Sequence, residues 1–157
     1  MAAALLTLTA LSCVGIAVSF GLAFLPAQVS NHVLIGVFAT MLNLLAHSLM
    51  MFYLIGKGKA VKEAVAEGAL DGDYVRRITR VRAPVFSRAI LALTCTMAAA
   101  IIGASVDVRV LPTWPHMLLA AAAIATNAYA FSAEMSALAV SARIVDEVNS
   151  RLTNAHG

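Results

Sequence analysis

His32-Val-Leu-Ile-Gly-Val-Phe-Ala-Thr-Met-Leu-Asn43 and His116-Met-Leu-Leu-Ala-Ala-Ala-Ala-Ile-Ala-Thr-Asn127 share one frame: a histidine opens each stretch and an asparagine falls eleven residues later. Each follows a Leu-Pro pair, Leu25-Pro26 and Leu111-Pro112, and the register still matches Ala46 with Ala130, Ser48 with Ser132 and Met51 with Met135. The pattern reads as an old duplication. Both copies sit in apolar runs long enough to cross a bilayer, whose core of about 30 Å takes about 20 helical residues. Two more runs qualify, so spans are expected over about 3–25, 32–55, 88–106 and 116–142. The fold expected is all-α: an integral membrane four-helix bundle of two repeated hairpins related by a pseudo-twofold axis along the membrane normal.

Composition agrees. The chain of 157 residues is 61% hydrophobic and 12% charged, with a mean hydropathy of +0.88, against about 25% charged residues in soluble domains. The spans leave no length for a separate soluble catalytic domain, so residues 1–157 read as a single transmembrane domain. The first run lacks a basic leading segment and a small-residue cleavage site, which predicts a true transmembrane helix and not a signal peptide. Cys13 and Cys95 lie in different spans with no metal-type spacing and read as packing residues, so no metal centre is expected.

Formal net charge is +3. Lys57, Lys59, Lys62, Arg76, Arg77, Arg80, Arg82 and Arg88 lie in or beside the 56–87 connection, and Arg143 and Arg151 lie in the tail. The loop before the second span is uncharged and the loop before the fourth holds only Asp107 and Arg109. The positive-inside bias therefore predicts the basic connection and both termini in the cytoplasm, most simply at a bacterial inner membrane. The basic surplus reads as topology signal and lipid contact, not as a nucleic-acid footprint. Within the connection, Asp71-Gly72-Asp73 predicts a turn and Tyr74–Val81 a short basic helix. There Val75, Ile78 and Val81 oppose Arg76, Arg77, Arg80 and Arg82, a surface suited to anionic headgroups or to a partner subunit.

The second helix is expected to start at a Ser30 or Asn31 cap and to end at Gly56. Its stripe His32, Gly36, Thr40, Asn43, His47, Met50, Leu54 advances by fours and threes, the spacing of a seam against another helix. At 1.5 Å per residue, Asn43 lies about 16 Å and His47 about 22 Å inward of His32, at depths where polar groups need internal partners. The fourth helix carries the stripe His116, Ala120, Ala123, Asn127, Ala130, Glu134, Ala137, Ser141. Its small residues allow close approach, and Ile144, Val148 and Leu152 extend an amphipathic period through the tail at 143–152.

Two constellations follow. His32 and His116 share a depth, and two neutral imidazoles facing each other across a bundle are the arrangement that holds one b-type haem. The bland alternative is a pair of interfacial histidines bonded to headgroups or water, and a third is a bound metal ion or quinol headgroup. In general layout the chain resembles small haem-carrying membrane anchors of respiratory complexes. The second constellation is His47 with Glu134, ten residues before Lys57 and nine before Arg143 respectively. A charged carboxylate near a helix centre costs about 2.5–3.5 kcal/mol on the insertion scale, so Glu134 must be protonated or paired. Supported by Asn43 and Asn127, the pair could relay a proton, hold a quinone carbonyl, or clamp two helices. The rotor proteolipids of rotary ATPases are a poorer match, because the charged connection here falls between the hairpins.

No phosphate-cradling loop or credible nucleophile points to an enzyme acting alone. The expected function is a small membrane subunit that anchors or stabilises a larger respiratory complex with other membrane subunits, as an electron carrier holding haem b. The alternatives are a proton- or quinone-handling protein and a purely structural accessory subunit.

Overall fold

The structure, a computed structural model, describes residues 1–156 and contains four long helices with one short 3-10 turn. Helix α1 spans Ala2–Leu22, α2 Val29–Glu67, α3 Asp73–Asp107 and α4 Thr113–His156. All four are long and apolar enough to cross a membrane. The bundle is polar and small-residued inside and greasy outside. Leu34, Phe38, Phe52, Ile101 and Leu118 are exposed, while Asn43, His47 and Glu134 are fully buried. That inversion is stable only where lipid covers the outer face, so the helices imply contact with a bilayer.

The helices outrun the expected spans. α2 does not end at Gly56, and the 56–87 connection is not a loop with a short surface helix. α2 runs through Gly56 and Gly58 to Glu67, and α3 begins at Asp73, leaving only residues 68–72 between them. Glycine weakens a helix by about 1 kcal/mol but does not stop one that packing supports. Gly58 leaves room for the Arg82 guanidinium lying across it, and a Cβ there would make that flexible end of the side chain move. Pro84 sits inside α3, beside Val85, which is wholly buried. The expected turn at 71–73 is present, with the Asp71 carboxylate accepting from the Asp73 N–H at 2.9 Å.

The apolar face of 74–81 is also turned inward. Ile78 joins Val61, Val65, Ile144 and Val148 in one core, with Val75 packed against it. α2, α3 and α4 thus continue as a three-helix bundle at the basic end, beyond the start of α1. The tail is not a separate segment, since α4 is a single helix through 143–152. A second core of Leu5, Met50, Leu54, Val85, Ala133, Ala137 and Leu138 lies next to it along the axis.

At the opposite end Pro26 blocks continuation of α1, and a 3-10 turn over Pro26–Gln28 leads straight into α2. α2 therefore starts at Val29 with no side-chain cap, upstream of the expected Ser30 or Asn31. α2 and α3 end alike. Ala69 and Arg109 adopt φ of 48° and 62°, and the next N–H reaches back to Val65 O at 3.0 Å or Ser105 O at 2.9 Å. These are the left-handed terminations that satisfy late helix carbonyls. The closest helix pairings are α3 with α4 and α1 with α2.

Candidate functional site

The inner site is a chain of buried polar side chains contributed by all four helices. His47 Nδ1 lies 2.5 Å from Glu134 Oε1, and both residues are fully buried. His47 Nε2 lies 2.9 Å from Asn127 Oδ1. Asn127 Nδ2 donates to Ala123 O at 2.7 Å and to Thr96 Oγ1 at 2.9 Å. Asn43 Nδ2 donates to the same Thr96 Oγ1 at 3.3 Å, and Ser12 Oγ lies 3.3 Å from Asn43 Oδ1. Thr96 passes its own proton to Ala92 O at 2.8 Å.

This network determines where the protons sit. A backbone carbonyl only accepts, so the Asn127 atom facing Ala123 O is the amide nitrogen, and its Oδ1 faces His47. Because Oδ1 also only accepts, His47 Nε2 carries a hydrogen. One further proton is then shared between His47 Nδ1 and Glu134 Oε1. It makes a neutral pair when it stays on the carboxyl and an ion pair when it moves to the ring, with the same heavy-atom positions. Amides do not pass protons along, so Asn127 ends the path on that side. On the other side Glu134 Oε2 is buried without a hydrogen-bond partner among the described residues.

His47, Glu134, Asn43 and Asn127, chosen from the sequence, are brought together. Thr96 and Ser12 were missed. Both stand at the offset that relates His32 to His116, as do Asn43 and Asn127, so extending that register into the odd-numbered helices would have found them. Tyr129 takes no part; its exposed ring stacks under the Arg88 guanidinium at 4.0 Å. A cavity of about 110 Å³ adjoins the network between α1 and α4, lined by Cys13, Ile16, Ile124, Asn127 and Ala128.

The outer site joins His32 and His116, whose ring centroids are 5.8 Å apart with planes at 71°. His32 Nδ1 donates to Ser19 O at 2.8 Å and His116 Nδ1 to Ala99 O at 2.9 Å. Each histidine is therefore held by the helix preceding its own. Gly36 and Gly103 leave room for these contacts. A Cβ on Gly36 would meet Ser19 Oγ at 2.9 Å, and one on Gly103 would meet the His116 ring at 2.8 Å. The fit to haem is poor. α3 packs at Gly103 against the His116 ring, which a Cβ at that position would meet at 2.8 Å, and neither of the two cavities described beside the bundle is lined by either histidine. A macrocycle would require the hairpins to part.

The four arginines do not form one surface. Arg76 pairs with Asp73 at 3.1 Å. Arg77 makes a two-pronged bond to Glu147, at 2.6 and 3.0 Å, tying α3 to α4. Arg82 lies over Gly58, and Arg80 is exposed. The Arg77 hydrogen bonds hold the Glu147 carboxyl below the ordinary glutamate range.

No known protein family matches this sequence, and neither the curated proteins nor the solved structures give a match.

Proposed function

We propose that this protein is a small membrane subunit of an energy-converting complex, in which the His47–Glu134 pair takes up and releases one proton in exchange with a lipid-soluble carrier of the quinone type. The observation that carries this reading is Glu134 Oε2. A clamp selected only for stability would satisfy both carboxylate oxygens, since a buried unpaired acceptor costs about 1–3 kcal/mol. Here one oxygen is bonded and the other is left open. The pair has no aqueous exposure, and the cavity between α1 and α4 reaches the network at Asn127 without being lined by His47 or Glu134, so a carrier would have to reach the open Glu134 Oε2 by a local parting of helices. A carrier arriving through the bilayer suits that geometry better than bulk water does. The placement of basic residues favours the basic end and both termini in the cytoplasm. The subunit would not be an enzyme alone; its partners supply the rest of the reaction.

A structural reading has its own support. Ser12, Asn43, His47, Thr96, Asn127 and Glu134 link all four helices through one set of bonds. An accessory subunit that merely braces a larger complex would use them so. The haem-carrier reading is not pursued, because α3 packs at Gly103 against the His116 ring where a macrocycle would need room.

Infrared difference spectra of the protein in lipid nanodiscs, recorded against pH and with a short-chain quinone, separate the two. Proton exchange requires a carboxyl band that changes with pH or quinone and disappears in Glu134→Gln. A band that is invariant, or that survives this substitution, leaves only the brace.

A further inference from the structure

We infer that the α3–α4 face around Arg88 and Tyr129 is a docking surface for a transmembrane helix of another protein, one that carries an acidic side chain in the basic-end half of the bilayer. The inference shares with the preceding reading only the premise of a partner subunit and does not depend on proton exchange.

Depth is the first observation. The Asn127–Thr96 bond and the Arg77–Glu147 bonds set the antiparallel register of α3 and α4. Eight residues from Thr96 toward the basic end comes Arg88, and eight from Asn127 comes Met135, beside Glu134. Arg82, packed on Gly58 next to Lys57, belongs to the belt of charges that closes the membrane span. Arg88 stands six residues deeper, about 9 Å at a rise of 1.5 Å per residue.

Direction is the second observation. An arginine near a helix end ordinarily lays its stem along apolar surface and keeps its head among the headgroups. The Arg88 guanidinium instead lies 4.0 Å from the centre of the Tyr129 ring. Tyr129 is six residues further from the basic end than Met135, and helical side chains lean toward the helix N-terminus, here deeper still. The tyrosine is 52% exposed, so the stacked pair stands on the outside of the bundle. Among the described residues Arg88 has no ion pair.

An unpaired cation at hydrocarbon depth is costly, and such residues face bundle interiors and pair with another charge. Charge complementarity chooses the occupant. A planar guanidinium braced on an aromatic ring presents parallel N–H donors that a carboxylate matches with two bonds. A second copy of this chain has no such group to offer. Of its eight acidic residues only Glu134 lies at this depth, and it is fully buried against His47.

The test places the labelled full-length chain in lipid vesicles with a leucine-rich transmembrane peptide bearing one glutamate at the depth of Arg88, or with a twin bearing leucine there. Energy transfer should show stronger association for the glutamate peptide, and Arg88→Gln should erase that preference. Equal association of both peptides, or a preference that survives in Arg88→Gln, overturns the surface. So does a preference lost when anionic phospholipid is added, which gives Arg88 to a lipid phosphate, or Arg88-dependent energy transfer between two copies of the chain. Stability supplies a second readout: Arg88→Leu should leave unchanged or raise the unfolding midpoint of the chain alone in nanodiscs. A lowered midpoint assigns Arg88 to the fold and removes the need for a partner.

Discussion

Around the His47–Glu134 network the four helices meet through alanine, glycine and hydrogen-bonded polar side chains, whereas at the basic end three of them meet through valine and isoleucine. Ala39, Ala46, Ala92, Ala123 and Ala130 surround Asn43, His47 and Asn127 in the first region. Val61, Val65, Ile78, Ile144 and Val148 fill the second. The contrast follows the solvent. Inside lipid, burying an apolar side chain gains little, because the tails outside are equally apolar, so close packing and internal hydrogen bonds hold helices together. Beyond the lipid, burial again removes apolar area from water at about 25 cal/mol per Å². One continuous helix, α4, serves both regimes by changing its stripe from Ala-Asn-Glu to Ile-Val.

Substitutions can break this contrast in graded steps. The largest effect is expected from His47→Leu, which strands a buried carboxylate. Losing one partner of a buried pair costs about 3–5 kcal/mol, while replacing both with apolar residues is often nearly neutral. Unfolding in detergent should therefore show severe loss for His47→Leu and substantial recovery in His47→Leu/Glu134→Leu. If the double variant is as unstable as the single one, packing and not charge governs this region.

Next comes Ile144→Ala, with an expected cost of about 2–5 kcal/mol from lost burial and the cavity left behind. Hydrogen exchange should then quicken over 57–82 and 140–152 and stay slow around Asn43 and Asn127. Uniform acceleration along all four helices would show that the two regions unfold as one unit.

The smallest effect concerns Arg77 and Glu147, which are both partly exposed. Because the native glutamate is held below its ordinary range, its contribution is complete above about pH 4.3 and fades as pH falls through the lowered native value. Exchange over 143–152 should quicken only at acidic pH, and Arg77→Ala should remove that dependence. A dependence that persists in the variant assigns it to another carboxylate.

The site was more legible than the connection. Counting residues from Lys57 and Arg143 puts His47 and Glu134 at one depth, and the stripes turn both inward. The orientation of Asn127, which fixes the proton on His47 Nε2, depends on Thr96 and Ala123 O and could not be read locally. Taken locally Thr96 looks no different from Thr94, whose hydroxyl returns to Ile90 O on the exposed face; only the repeat register, which sets Thr96 against Ser12 and Thr94 against Ala10, separates them. At the basic end, Gly56, Gly58 and Pro84 are local signals to stop. They were overridden by packing of Ile78 against α2 and α4 and by the seat of Arg82 on Gly58.

Apolar run length and the period of the stripes, both local quantities, were enough to establish four membrane-spanning helices and the faces they turn inward. Which polar groups share protons, where the long helices end, and that two histidines from different hairpins meet ring to ring were decided only by tertiary structure. The reason is physical: within lipid a polar atom's energy depends on whether a partner stands within hydrogen-bond reach, and that partner lies dozens of residues away along the chain.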